Sequence, residues 1–235
     1  MAARIPVLLL LLAAAFPLRA AAEHRLNLDD GDGQVMGTKD DRILWVFPNY
    51  RTVDQAKSSP VITPRQKLSI ALNDSFDPYA FPVAGVFAGI AQLQDRPEAW
   101  AQTPDGYRKR YMAAFADQTI SNLMAEGLFP IMLKQDPRYL RLGRGGFCHR
   151  AGYALTRIFV TLTDRREPQF NYSEFGGNAV MAGASILYRP SQQRTVGNAA
   201  QTFGIQLAVD SLGNFGKEFW PDVKSWLTGK PIPDP

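Results

Sequence analysis

The stretch from Tyr107 to Leu133, YRKRYMAAFADQTISNLMAEGLFPIML, carries the longest helical pattern in the chain. Its apolar residues recur at spacings of three to five, which predicts a long amphipathic helix. Pro130 is expected to kink or end this helix, because proline lacks a backbone N–H.

Helix signals precede the long pattern. Thr63, Pro64 and Gln66 form a capping box with proline at the first helical position, which predicts a helix to about Leu72. Residues 81–93 read as a buried helix. Its glycines at 85 and 89 lie on one face, where they would let another helix approach closely.

Three more helices are predicted after the long pattern. Apolar residues at helical spacing predict one over residues 147–162. A capping box starts a helix over 171–188, and Thr195 caps one over 195–219, with a final turn opening at Pro221. These helices are rich in Gly and Ala, so we expect their backbones to pack closely.

These patterns predict a mainly α fold, a compact domain of six or seven helices over residues 63–228, with no convincing set of strands. The 235 residues are 46% hydrophobic and 20% charged, which is enough for one sizeable core. The composition excludes a disordered chain or a collagen-like repeat, and the single cysteine excludes a disulfide scaffold.

The first 22 residues are predicted to be a signal peptide. A basic start precedes the apolar run Ile5–Phe16, and small residues follow before Glu23. The apolar run would span only about 18 Å as a helix, too short for an uncleaved membrane anchor. We therefore expect a secreted or periplasmic protein, with an extended acidic leader over residues 23–62 and a proline-rich tail over 229–235.

The mature chain is not expected to cross a membrane. Its longest uncharged stretch, Pro78–Gln94, falls short of the roughly 18 apolar residues that a spanning helix needs. Removing the signal peptide lowers the net charge from +4 to about +2, because Arg4 and Arg19 leave with it. A net charge this small does not suggest a nucleic-acid partner. The mature chain could still lie against a membrane without crossing it.

Strong catalytic and metal-binding motifs are missing from the sequence. It contains no H-E-x-x-H, C-x-x-C, G-x-S-x-G or S-x-x-K, and only two histidines. We expect no metal and no cofactor. A periplasmic hydrolase stays open as an alternative, either through His149 in a triad or through a carboxylate pair. The candidate pairs are Asp117 with Glu126 and Asp210 with Glu218.

Cys148 is the single cysteine of the chain. It can form no internal disulfide, and we interpret it as a small buried hydrophobic residue on a helix. A reactive thiol or an interchain disulfide is the alternative.

Arginine is concentrated between positions 138 and 166, where seven arginines occur without a lysine. Because guanidinium groups match carboxylates and phosphates, one interpretation is an anion-binding site. Its candidate residues are Arg138, Arg141, Arg150, Tyr153 and Arg157. The other interpretation is that these arginines pair with acids embedded in apolar helices. Those acids are Asp117, Glu126, Glu174, Asp210 and Glu218.

Several segments resemble a group of bacterial secreted or envelope proteins to which no activity is assigned. The similar segments are Asp77–Tyr79, Gln135–Arg141, Arg150–Thr161, Phe170–Ser173 and Lys217–Asp222. The resemblance covers roughly residues 44–227. It implies a bacterial envelope location and transfers no catalytic residue.

The sequence thus favours an exported, non-enzymatic envelope protein that binds or rests against an anionic component through its arginine-rich segment. That component would be a phospholipid headgroup or an acidic glycan. A structural subunit of an envelope assembly is a further alternative, because Gly- and Ala-rich helices suit oligomers.

Overall fold

A computed structural model describes residues 52–54 and 60–229 of the chain. The predictions for the signal peptide, for most of the acidic leader and for the tail after Gly229 lie outside these residues. Within them the protein is mainly helical, as predicted.

The first two helices, α1 (Pro64–Phe76) and α2 (Ala80–Leu93), start close to where the sequence places them. The Thr63 side chain accepts from the Gln66 N–H, and Gln66 accepts from the Thr63 N–H, which completes the predicted capping box. Helix α1 runs four residues beyond the predicted end and stops before Pro78, which disfavours helical backbone in the residue before it.

The long pattern forms one continuous helical rod. It consists of α3 (Pro104–Ser121), a π-helical segment (Asn122–Leu128) and α4 (Phe129–Leu133). Pro130 does not end the rod. It lies where the backbone changes from π to α spacing, and such a change accommodates a residue without an N–H. The rod ends at Lys134, which adopts the left-handed conformation with φ 54°.

Short strands are present that the sequence analysis did not predict. Strand β2 (Gln135–Asp136) pairs antiparallel with β4 (Val160–Thr163), which pairs antiparallel with β5 (Pro168–Phe170). Strand β3 (Tyr139–Arg141) pairs parallel with β1 (Thr52–Asp54). Strands β2 to β5 lie between residues 135 and 170 and therefore within or next to the arginine-rich segment.

The predicted helix over 147–162 is too long, because α5 (Phe147–Thr156) ends six residues earlier. Val160, Thr161 and Thr163 join β4 instead, where β-branched side chains pack well. The periodic positions at 158 and 162 belong to a turn and a strand.

The last two helices are α6 (Tyr172–Tyr188) and α7 (Val196–Thr228). Their predicted caps are confirmed, since Asn171 and Thr195 each accept a backbone N–H of the first turn. The predicted end at Phe219 is wrong, because α7 continues through Pro221. Side-chain contacts to α5 from positions 218 and 222 hold α7 on both sides of this proline.

Only some of the glycines for which close helix packing was predicted have a neighbouring element close to them. In α6, Gly177 lies against the backbone of Ala125 in the π segment, leaving no room for a Cβ. In α2, the carbonyl of Gly85 accepts from Tyr107 Oη at 3.1 Å, whereas a Cβ added at Gly89 would meet no atom of another element within 4 Å. The described glycines of α7 face open space or a single hydroxyl.

Candidate functional site

Arg150 of α5 is bonded to two internal carboxylates. Its Nε donates to Glu218 Oε1 at 2.9 Å, and its two terminal nitrogens donate to Asp222 at 2.8 and 2.7 Å. One terminal nitrogen also donates to the Glu218 carbonyl at 2.8 Å. The planar guanidinium thus joins α5 to α7, and four of its five N–H donors are occupied within the protein.

Glu218 is the fully buried partner in this pairing. Its carboxylate also accepts from Tyr139 Oη at 2.8 Å and from the backbone N–H groups of Leu142 and Gly143 at 3.0 Å. Burial, and secondarily the Glu218 charge, raises the pKa of Tyr139 far above its ordinary value. The predicted pairing of an arginine with an embedded acid is therefore confirmed for Glu218, which also fixes the end of β3.

Arg138 is paired in the same way, with a carboxylate that the sequence analysis did not propose as a partner. Its guanidinium contacts Asp136 at 2.8 Å, and Arg166 contacts the same carboxylate at 3.1 Å. Both arginines also donate to the carbonyl of Pro60, at 2.7 and 2.9 Å. Because Asp136 is the last residue of β2, three residues after the end of α4, it tethers the arginine-rich segment to the sheet.

The Arg150–Asp222 pair gives a prediction about pH. Hydrogen bonding from Arg150 holds the pKa of Asp222 below its ordinary value of 3.8. A lowered carboxyl pKa stabilises the fold above pH 3.8, and this contribution disappears as the pH falls through the lowered value. We expect Asp222→Asn to melt about 2 to 4 °C lower than the wild type near neutral pH.

Thermal unfolding followed by circular dichroism across the acid range checks this expectation. The difference between the two proteins should shrink as the pH falls below 3.8 and through the lowered pKa of Asp222. A difference of constant size at every pH would mean that the carboxylate charge is not the stabilising feature.

Arg157 is different from the paired arginines. It follows α5 directly, is half-buried, and its guanidinium carbon lies 5.3 Å from the centre of the Tyr153 ring. Tyr153 is itself held by donating to the Leu140 carbonyl at 2.7 Å. No described carboxylate lies within ion-pair distance of Arg157. Of the other predicted residues, Arg141 is buried in β3, and its charge contributes to lowering the pKa of Asp222.

Arg157 lines a small polar cleft with a volume of about 40 Å³. The cleft lies where the end of α5, strands β2 to β4, the start of α6 and the middle of α7 meet. Its charged lining consists of three basic and two acidic side chains: Arg138, Arg157, Lys217, Asp136 and Glu174. Three basic and two acidic side chains give the lining a formal charge of +1, which favours a small negatively charged group.

The cleft includes residues that the sequence analysis did not assign to a site. Lys217 and Asn214 come from α7, and Asn171 and Thr161 come from the start of α6 and from β4. A signal existed for Lys217, which interrupts an otherwise apolar helix next to Glu218. The asparagines and the threonine carry no comparable signal in the sequence.

The residues proposed for a hydrolase are not assembled with one another. His149 is exposed, and the described residues supply no hydrogen-bond partner for it. Asp117 is bonded to Tyr188 and Arg189, and burial raises its pKa despite the Arg189 charge. Asp210 accepts from Asn178 and Gln206 side chains instead of meeting Glu218.

Cys148 is exposed, so its interpretation as a buried residue is wrong. It occupies the second position of α5, whose buried face is formed by Arg150 and Ala154. Cys148 lies outside this buried face and faces the solvent.

No family model, curated protein or solved structure matches this chain. Over residues 52–54 and 60–229, the side chains of His, Cys, Asp and Glu form no group of three that could hold a metal ion. Across the same residues, no helix combines the length and the apolar character that crossing a membrane requires.

Proposed function

We propose that this protein is an exported, non-enzymatic protein of the bacterial cell envelope that holds an anionic group in the cleft beside Arg157. The group is a phosphate of a phospholipid headgroup or a carboxylate of an acidic glycan. Export rests on the signal-peptide pattern of residues 1–22.

One observation carries the proposal. Among the arginines assigned to an anion-binding site, Arg138 and Arg150 have internal carboxylate partners, whereas Arg157 lines the cleft with no carboxylate partner among residues 52–54 and 60–229. A guanidinium group held over a tyrosine ring, with Lys217 in the same lining, is suited to carboxylate and phosphate oxygens.

The size of the cleft also bears on the ligand. Pockets that enclose whole small molecules have volumes of about 300 Å³ or more. The volume of about 40 Å³ suits one phosphate or carboxylate group of a larger molecule, with the remainder outside. A headgroup or a sugar acid offers such a terminal anion.

Arg157→Ala tests the proposal. Calorimetric titration of the purified protein with glycerol phosphate and with an oligogalacturonate separates the two sources of the anion. We expect one of them to bind the wild type, and we expect Arg157→Ala to weaken that binding at least about tenfold, because a charge-assisted hydrogen bond is lost.

Arg165→Ala is the matched control. Arg165 belongs to the same arginine-rich segment, is exposed and does not line the cleft. Its replacement should leave the affinity unchanged. Equal losses in the two variants, or no binding of either anion by the wild type, would refute the proposal.

A further inference from the structure

A second surface, about 15 Å from Arg157 along α5, has a different chemistry. It begins at Phe147, the first residue of α5, whose ring centre lies 6.2 Å from that of Phe215 and 5.0 Å from that of Phe219. Val223 and Trp226 continue the same face of α7, because their spacing from Phe219 is four and seven residues. We call these five residues the aromatic strip.

The aromatic strip is largely open to solvent in the described structure. Trp226 is 82% exposed, Phe147 is 64% exposed and Val223 is 39% exposed. Large exposed aromatic groups arranged side by side mark interaction surfaces, whereas isolated exposed apolar residues are ordinary. Trp and Phe on one face of a helix are typical of segments that lie in the interface of a membrane.

The charges around the aromatic strip determine which partner fits it. Residues 142–156 and 212–229 contain four basic side chains and two acidic ones. The acidic ones, Glu218 and Asp222, are both bonded to Arg150. Because Arg150 and Lys217 are buried, the basic edge of the strip consists of exposed Arg144, three residues before Phe147, and half-buried Lys224, next to Val223. An apolar surface with a basic edge complements a bilayer that contains anionic lipids.

We propose that the aromatic strip docks onto an anionic lipid bilayer, with Trp226 and Phe147 entering the interfacial region. This contact is separate from the anion site at Arg157 and does not depend on it. It would hold the protein peripherally, with α7 lying along the membrane surface at its C-terminal end.

Vesicle co-sedimentation of the purified protein tests the proposal. We expect binding to vesicles of phosphatidylglycerol with phosphatidylcholine, weaker binding at high salt, and little binding to phosphatidylcholine alone. Trp226→Ser should lower the partition coefficient about tenfold, because it removes the largest apolar side chain that would enter the bilayer.

Two matched variants make the result specific. Leu93→Ser removes a side chain that is 78% exposed at the end of α2, away from the strip, and should leave binding unchanged. Arg165→Ala, at an exposed arginine outside both the cleft and the strip, should also bind vesicles like the wild type. Wild-type binding by Trp226→Ser, or equal losses in Trp226→Ser and Leu93→Ser, would overturn the proposal.

Tryptophan fluorescence supplies an independent readout. The difference between the wild type and Trp226→Phe isolates the signal of Trp226. Without vesicles this signal should be quenched readily by acrylamide, and vesicles should protect it. Protection of Trp226 without vesicles would show that a second copy or another segment of the chain covers the strip, which would contradict docking onto a membrane.

Discussion

Glu218→Ala is expected to lower the free energy of unfolding by about 3 to 5 kcal/mol, because it removes one partner of a buried ion pair. Arg150 would keep only one carboxylate partner, Asp222, which is itself 37% exposed. Three further donors, on Tyr139, Leu142 and Gly143, would lose their shared acceptor. Each buried donor left without a partner adds to the loss.

Urea denaturation followed by far-UV circular dichroism measures this loss. Asp222→Ala is the control, because it removes the more exposed of the two carboxylates that bind Arg150. We expect it to cost only about 1 kcal/mol. Equal losses in Glu218→Ala and Asp222→Ala would show that burial of the carboxylate is not what makes Glu218 important.

Gly177→Ala is expected to destabilise the protein by about 2 to 3 kcal/mol, because α6 and the π segment pack without space for a methyl group. A Cβ at position 177 would collide with the backbone nitrogen and Cα of Ala125 and would lie 2.8 Å from its Cβ. Backbone atoms cannot rotate away, so the two helical segments would have to separate.

Gly183→Ala provides a comparison within the same helix. A Cβ at position 183 meets no atom within 4 Å. Alanine there should stabilise the helix by about 0.5 to 1 kcal/mol, since glycine is the poorer helix former. The two substitutions should therefore change the urea midpoint in opposite directions. A shift of the same sign and size in both would contradict the packing argument.

Much of the helical architecture could be predicted from the sequence. The caps at Thr63, Asn171 and Thr195 are contacts between residues three apart, so their signals are local. The same locality explains the error at residues 157–162. The apolar spacing continued there, but pairing with strands from elsewhere in the chain outweighed it.

The candidate site is formed by residues that are far apart in sequence, whereas the helix caps are formed by residues three apart. The arginine-rich segment was recognisable, and so was the embedded acid Glu218. Which arginine meets which acid was not, because Arg150 and Glu218 are 68 residues apart in sequence. Asp136 was overlooked as a partner although it lies only two residues from Arg138.

The sequence by itself therefore determined the mainly helical class, most helix starts and the location of the excess arginine, because each depends on neighbouring residues. The tertiary structure decided which of these arginines are neutralised internally and left Arg157 in a cleft. It also decided that Cys148 is exposed and that Phe147 joins Trp226 along one surface. Those outcomes depend on how separate elements pack, and packing brings together residues whose spacing along the chain carries no signal.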